Sequence, residues 1–179
     1  MNISYQTLDK SHFEQIKEVT QREFTDAYER NKISWERRFE EILSQKDAYS
    51  QGAFDSGRLV GFLLGFKMGL FPKTKEVFEI YLNDPKCGRL LIPRPVIRDY
   101  DYGLDNLIVE PTYRRRGIGN KLVGNFLGEL PFGVNTFVYT DNSGPMTKSY
   151  VDDFGFVKVL DGIKEGVETG MGIYMRDNN

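Results

Sequence analysis

Apolar and polar positions recur with two different periods along this chain, and the switches between them predict its elements. Residues 2–8 carry a short strand pattern that Asp9 and Lys10 break. Ser11-x-x-Glu14 has capping-box spacing, in which a hydroxyl and a carboxylate satisfy orphan amides of a first helical turn. Phe13, Ile16, Thr20, Phe24 and Ala27 then fall near one face of a 3.6-residue period and predict a helix. Trp35, Phe39, Ile42 and Leu43 predict a second helix that starts at Ser34. Residues 49–54 and 59–66 read as two strands, joined by Asp55-Ser56-Gly57-Arg58. That linker has strong turn chemistry, so the pair is a β-hairpin.

Residues 70–100 are less regular. They contain a short helix pattern near 75–82, bracketed by Phe71-Pro72-Lys73, Asn83-Asp84-Pro85 and Pro93-Arg94-Pro95. The prolines interrupt regular structure. A strand is expected at 102–109, then a helix with Ile118, Leu122, Val123, Phe126, Leu127 and Leu130 as its buried stripe. Residues 136–140 give another strand and 142–153 a short helix. Strands at 157–160 and 172–175 close the pattern. No repeat, low-complexity tract or domain-sized linker interrupts it, so a single domain spanning 1–179 is expected, with an insertion at about 70–100.

The segment 107–123, Leu-Ile-Val-Glu-Pro-Thr-Tyr-Arg-Arg-Arg-Gly-Ile-Gly-Asn-Lys-Leu-Val, carries most of the chemistry. An apolar strand ends at Glu110, and Pro111 forbids ladder pairing at its own nitrogen. Arg114, Arg115 and Arg116 follow, then Gly117 and Gly119 at the start of an amphipathic helix. Strand, basic glycine loop and helix N-terminus together make an anion cradle. The first helical amides have no partner in the helix, the macrodipole favours negative charge there, and glycine permits close approach to the backbone. There is no Gly-Lys-Ser/Thr and no G-x-G-x-x-G spacing, so neither a Walker loop nor a dinucleotide fingerprint is indicated.

Composition narrows the alternatives. The 179 residues are 40% hydrophobic and 28% charged, which suits a soluble globular protein with a sizeable core. A net charge of −2 argues against a general nucleic-acid or anionic-membrane binder. The single cysteine, Cys87, rules out an intramolecular disulfide. With one histidine, His12, there is also no metal-ligand cluster. His12 reads as a solvated residue of the first helix, and Cys87 as structural or incidental. No signal peptide or membrane-spanning run is visible, so the expected location is cytoplasmic.

Arg114-x-x-Gly117-x-Gly119 matches the Q/R-x-x-G-x-G/A signature of the GNAT superfamily of acyl-CoA-dependent N-acyltransferases. The fuller segment 107–123 resembles that family's coenzyme A motif. The element order β-α-α-β-β-(insert)-β-α-β-α-β-β is the family's order over nearly the whole chain. Asp55 to Phe62 resembles its second hairpin, and Phe154-Gly155-Phe156 the Gly-Phe pair after its last helix. The resemblance implies an α/β (α+β) GNAT-like fold, with a mixed central β-sheet of about six to seven strands flanked by about four helices.

It further implies transfer of an acetyl group from acetyl-CoA, without a metal, to a primary amine of a small molecule or peptide. The amine attacks directly in a ternary complex. Arg115, Arg116, Gly117, Ile118, Gly119 and Asn120 would surround the diphosphate, with the Arg114 side chain available for charge. The backbone of Leu107, Ile108 and Val109 would pair with the pantetheine arm as an added strand. The Val109 amide would donate to the thioester oxygen as it becomes an oxyanion. The attacking amine must be neutral; with a pKa near 10.4, only about one lysine-like amine in a few thousand is neutral at pH 7. Asp105 holds the position of the family's base, and strand alternation puts it on one face with Leu107 and Val109, either at the site or at a strand end in solvent; Asn106, on the other face, is a lesser candidate to orient a water. The family's tyrosine acid would fall at Val151, a departure from the pattern. Tyr150 is the neighbouring candidate, although one helical step turns it by about 100 degrees. The family's asparagine, about seven residues before its tyrosine, would fall at Gly144, a second departure from the pattern, with Asn142 two residues earlier.

Glu76, Glu79, Asp84, Asp99 and Asp101, with Phe71, Phe78, Tyr81, Tyr100 and Tyr102, are candidates to line a pocket for a cationic amine, or form an ordinary solvated loop. A homodimer is compatible with the resemblance. A catalytically silent coenzyme A-binding domain is the alternative function, because the tyrosine is displaced. An acyltransferase using a longer acyl group is a further alternative.

Overall fold

The computed structural model describes residues 2–68, 98, 100–164 and 167–178. Seven strands and four α-helices lie among them. The strands are β1 (Ile3–Thr7), β2 (Gln51–Asp55), β3 (Arg58–Lys67), β4 (Tyr102–Val109), β5 (Asn135–Asp141), β6 (Val157–Lys164) and β7 (Val167–Asp177). The helices are α1 (Phe13–Glu23), α2 (Thr25–Leu43), α3 (Ile118–Glu129) and α4 (Pro145–Asp152). The sheet is mixed, with strand order β1-β2-β3-β4-β5-β7-β6, in agreement with the expected fold class. The helix pattern near 75–82, Cys87 and Asp99 fall outside the described residues, as do the candidate pocket residues between 71 and 84.

The chain divides into two compact units. The first comprises Met1–Phe66 and Asp105–Leu130. In it β1, β2 and β3 pair antiparallel, with an irregularity between Ala53 and Phe54. The near-continuous apolar run of β3 has both faces covered: Leu59 to Phe66 contains no exposed residue. Phe62 meets Phe39 of α2 at 6.4 Å between ring centroids. Gly65, on the opposite face, lies under the Phe126 ring of α3. The helices therefore sandwich this strand, and Ile16, Val19, Ile42, Leu122 and Phe126 complete the buried core.

The second unit comprises Lys67–Leu104 and Pro131–Asn179. The start of β4 runs parallel to β5, pairing Tyr102, Gly103 and Leu104 with Thr136, Phe137 and Val138. Strand β7 pairs antiparallel with both β5 and β6. Asp101 is fully buried. It accepts from the Arg98 guanidinium at 2.9 Å and from the Asn135 amide at 2.8 Å. It thus fixes the entry into β4, an internal role that removes it from the candidate pocket residues. Tyr102 is also buried.

Three local expectations are corrected. The capping box is Asp9 with His12, not Ser11 with Glu14, and it caps a 3-10 turn, Lys10–His12, that leads into α1. Asp9 accepts from the Ser11 amide at 2.9 Å, and its own amide donates to His12 Nδ1 at 3.2 Å. His12 is accordingly a capping residue, with its ring 5.7 Å from that of Phe54. The first helix ends at Glu23, because Phe24 leaves helical geometry at φ −130° and ψ 46°. The second helix begins at Thr25 rather than Ser34.

The close packing of β3 yields a stability test. A Cβ on Gly65 would lie 2.1 Å from Phe126 and 2.5 Å from the Ala48 carbonyl oxygen, whereas one on the exposed helical Gly128 meets nothing within 4 Å. Gly65→Ala should destabilise by about 2 kcal/mol or more through overpacking. Gly128→Ala should stabilise by about 0.5–1 kcal/mol. Denaturant melts of both variants check the pair, and equal effects would contradict this packing.

Candidate functional site

The site begins where β4 ends. Gly61 of β3 lets the two backbones approach: a Cβ there would sit 3.0 Å from the Ile108 carbonyl oxygen and 3.2 Å from a Val109 methyl. The Glu110 amide donates to the Val60 carbonyl at 2.9 Å. Pro111 then opens a single 3-10 turn, Pro111–Tyr113, closed by the Tyr113 amide on the Glu110 carbonyl at 2.9 Å. The chain leaves that turn through Arg115 at φ 58° and Gly117 at φ 75°. A left-handed backbone is natural for glycine and costs other residues about 1–2 kcal/mol.

Gly117 is the N-cap of α3 and supplies no side-chain cap. The first turn of the helix closes with the Lys121 amide on the Gly117 carbonyl at 2.9 Å. The Ile118 and Gly119 amides precede that bond and have no acceptor within the helix. A Cβ on Gly117 would meet nothing within 4 Å, so the backbone is open to approach. Ile118, Leu122, Val123 and Phe126 are buried and hold the helix in place beneath the loop. Arg114, Arg115 and Arg116 are exposed. The result is an exposed basic loop that runs directly into the uncapped main-chain amides of a helix N-terminus.

The arginines divide their work. Arg114 Nε donates to the Val109 carbonyl at 2.9 Å, and its Nη2 pairs with Glu23 at the end of α1. The side chain expected to supply diphosphate charge is thus engaged with the end of β4 and with α1. The Arg116 guanidinium lies 5.8 Å from the centre of the Tyr113 ring. Arg115 and Asn120 stand at their expected loop and helix positions.

Asp105, Leu107 and Val109 share a face of β4, as alternation requires. The Asp105 carboxylate is an ion-pair partner: Arg38 Nε of α2 donates to it at 2.7 Å, with side-chain exposures of 7% for Arg38 and 5% for Asp105. Removing one member of such a buried pair costs roughly 3–5 kcal/mol. Arg38 was not singled out in the sequence. Its signal was present, since it lies three residues after Trp35 and four before Ile42, on the buried stripe of α2. Its guanidinium also lies 5.0 Å from the Phe66 ring centre.

A second cluster unforeseen in the sequence surrounds the start of the loop. Arg58 Nη1 donates to both Glu110 oxygens, at 2.8 and 2.9 Å. Arg22 Nη1 approaches the same carboxylate at 3.0 Å. The Tyr113 hydroxyl donates to Asp55 at 2.9 Å and accepts from Arg58 at 3.4 Å. Tyr113 and Glu110 together push the Arg58 guanidinium pKa upward.

Tyr150 belongs to the second unit. It is 3% exposed and its ring packs 5.4 Å from that of Phe156. Burial pushes its phenol above the ordinary tyrosine value, so it stays protonated throughout the neutral range. Val151 is half-exposed, and the left-handed Gly155, at φ 69°, turns the chain so that the Phe156 amide reaches the Tyr150 carbonyl at 2.9 Å. The Asn142 side-chain oxygen accepts from Tyr174 at 2.9 Å. Among the described residues no group of three or more His, Cys, Asp or Glu side chains could hold a metal. No described helix is long and apolar enough to cross a membrane.

Comparison with known proteins places this arrangement. No curated protein sequence matches the chain. Solved structures match over almost its whole length. An acetyltransferase of the GNAT family from Bacillus cereus is 15% identical over 100% of this chain and 99% of its own, with TM-score 0.63. Arabidopsis thaliana NAA60 in complex with acetyl-CoA is 16% identical over 97% and 96%, with TM-score 0.59. The PaiA N-acetyltransferase of Thermoplasma acidophilum in complex with coenzyme A is 15% identical over 99% of each chain, with TM-score 0.58. At these identities the structures establish likeness of fold. The family model for the acetyltransferase (GNAT) family matches residues 13–131, which include the complete β4–loop–α3 segment. On that match, covering well over half of its residues, the chain belongs to the GNAT acetyltransferase family.

Proposed function

We propose that the protein is an N-acetyltransferase that moves an acetyl group from acetyl-CoA to a primary amine of a small molecule or peptide. The observation that carries this reading is the open left-handed turn at Gly117, followed by the first-turn amides of α3. Arg115, Arg116, Gly117, Ile118, Gly119 and Asn120 would hold the diphosphate, chiefly through main-chain donors. Arg114 would act by fixing the Val109 carbonyl and by its positive charge. The pantetheine arm would lie along Leu107, Ile108 and Val109, the part of β4 beyond its register with β5. The Val109 amide would face the thioester oxygen as charge develops on it. Family membership and the coenzyme A bound to the similarly folded PaiA N-acetyltransferase support this reading.

In the reaction the neutral amine attacks the thioester carbon, the C–S bond breaks, and the nitrogen loses a proton while the thiolate gains one. Asp105 is the proposed base, acting directly or through water, and Tyr150 the proposed acid. Both carry a structural burden: Asp105 is paired with Arg38, and Tyr150 is buried. Those two facts favour a second reading, a coenzyme A-binding domain without turnover. Turnover on a panel of small and peptide amines separates the readings.

Cofactor binding is checked at Gly117, where asparagine and aspartate both tolerate a left-handed backbone. The thermal midpoint of the wild type should rise with millimolar acetyl-CoA, as native-state binding requires. Gly117→Asn should keep most of that rise, and Gly117→Asp should lose it by placing a carboxylate against the diphosphate. An equal rise in both variants would contradict the cradle. Catalytic assignment is checked by kinetics: Asp105→Asn and Tyr150→Phe should each lower kcat by about 100-fold while leaving acetyl-CoA affinity nearly unchanged. A wild-type kcat in either variant removes that residue from the mechanism.

A further inference from the structure

We propose that Glu110, Arg22, Arg58 and Tyr113 form a clamp that positions the cofactor loop, a role that rests on the coenzyme A reading above. The loop has little burial of its own, since Arg114, Arg115, Arg116 and Gly117 are all exposed. It nevertheless holds two left-handed residues, one of them an arginine. Such a backbone persists only where its surroundings over-determine it. Arg114, on the Val109 carbonyl and Glu23, and the buried Ile118 hold the loop itself; the groups around Glu110 hold the point where it leaves β4.

Glu110 is the centre of that support. Its side chain is 10% exposed and receives guanidinium donors from α1 through Arg22 and from β3 through Arg58. Its carbonyl accepts the amide that closes the Pro111–Tyr113 turn. Tyr113 ties the end of the turn to the β2–β3 hairpin through Asp55 and Arg58. Its ring carries the Arg58 and Arg116 guanidiniums at 5.6 and 5.8 Å from the centre. Three chain segments thus fix where the loop leaves β4, and so where the Ile118 and Gly119 amides aim.

The sign of the charge makes the role distinctive. A carboxylate beside an anion-binding loop repels the ligand, so on electrostatics alone its removal should tighten binding. A carboxylate that positions the amides has the opposite effect, because misaimed donors no longer reach the diphosphate. These four groups touch neither cofactor nor acceptor in this account; they are positioning residues.

The experiment is calorimetric titration of coenzyme A into wild type, Glu110→Gln and Tyr113→Phe at one ionic strength, well below each protein's thermal midpoint. Glu110→Gln should weaken binding about 10- to 100-fold, the weight of one hydrogen bond to a charged group. Tyr113→Phe keeps the ring and all charges, so it protects the test against a folding defect; it should weaken binding about tenfold. Wild-type or tighter affinity in Glu110→Gln overturns the clamp and leaves the cofactor site standing. Unaltered affinity in Tyr113→Phe removes the hydroxyl bridge and overturns the clamp as drawn. Failure of wild type to bind coenzyme A overturns the cofactor reading and the clamp together.

Discussion

A helix cannot satisfy its own first amides, and the function proposed for this chain depends on where those of α3 are left. Gly117 takes a left-handed backbone with open space above it, and a buried stripe from Ile118 to Phe126 anchors the helix below. The donors are therefore held by a hydrophobic core on one side and left uncapped on the other. Gly61 and Gly65 contribute at a distance: they allow β3 to lie against β4 and under α3, which brings strand end and helix start to one place. The cofactor binding proposed for this chain relies chiefly on main-chain atoms, so on that proposal backbone geometry matters more than side-chain identity.

The same dependence explains what could be read from the chain. The β4–loop–α3 segment was legible because its determinants are local: an apolar run, a proline, an arginine cluster, two glycines and a renewed helical period. Strand β4 and the start of α3 fall where the pattern puts them. The entry of α2 was not legible. Between Thr25 and Ser34 the apolar residues are Ala27, Tyr28 and Ile33; Tyr28 is buried and Ile33 is 85% exposed, so no clear stripe marks the face. The break at Phe24 has neither glycine nor proline to announce it.

Long-range polar pairing was hidden for a different reason. Arg38 and Asp105 are separated by 67 residues, and Arg58 and Glu110 by 52. A single sequence contains no signal for which arginine meets which carboxylate. Asp105 could be placed on a strand face, but whether solvent, substrate or another residue waits there is a matter of tertiary packing. The answer, a buried guanidinium, gives Asp105 a structural role alongside the catalytic one proposed for it. Tyr150 was likewise placed beside the family's usual tyrosine position, while its burial against Phe156 emerges only from the fold.

Binding of the cofactor diphosphate by the loop and first-turn amides, as proposed, can be tested atom by atom. Titration of isotope-labelled protein with coenzyme A, followed by amide nuclear magnetic resonance, reports each donor separately. The Gly117, Ile118 and Gly119 amides should shift most and together, along one binding curve. Saturable binding that leaves those three unmoved while amides elsewhere respond would contradict the proposal.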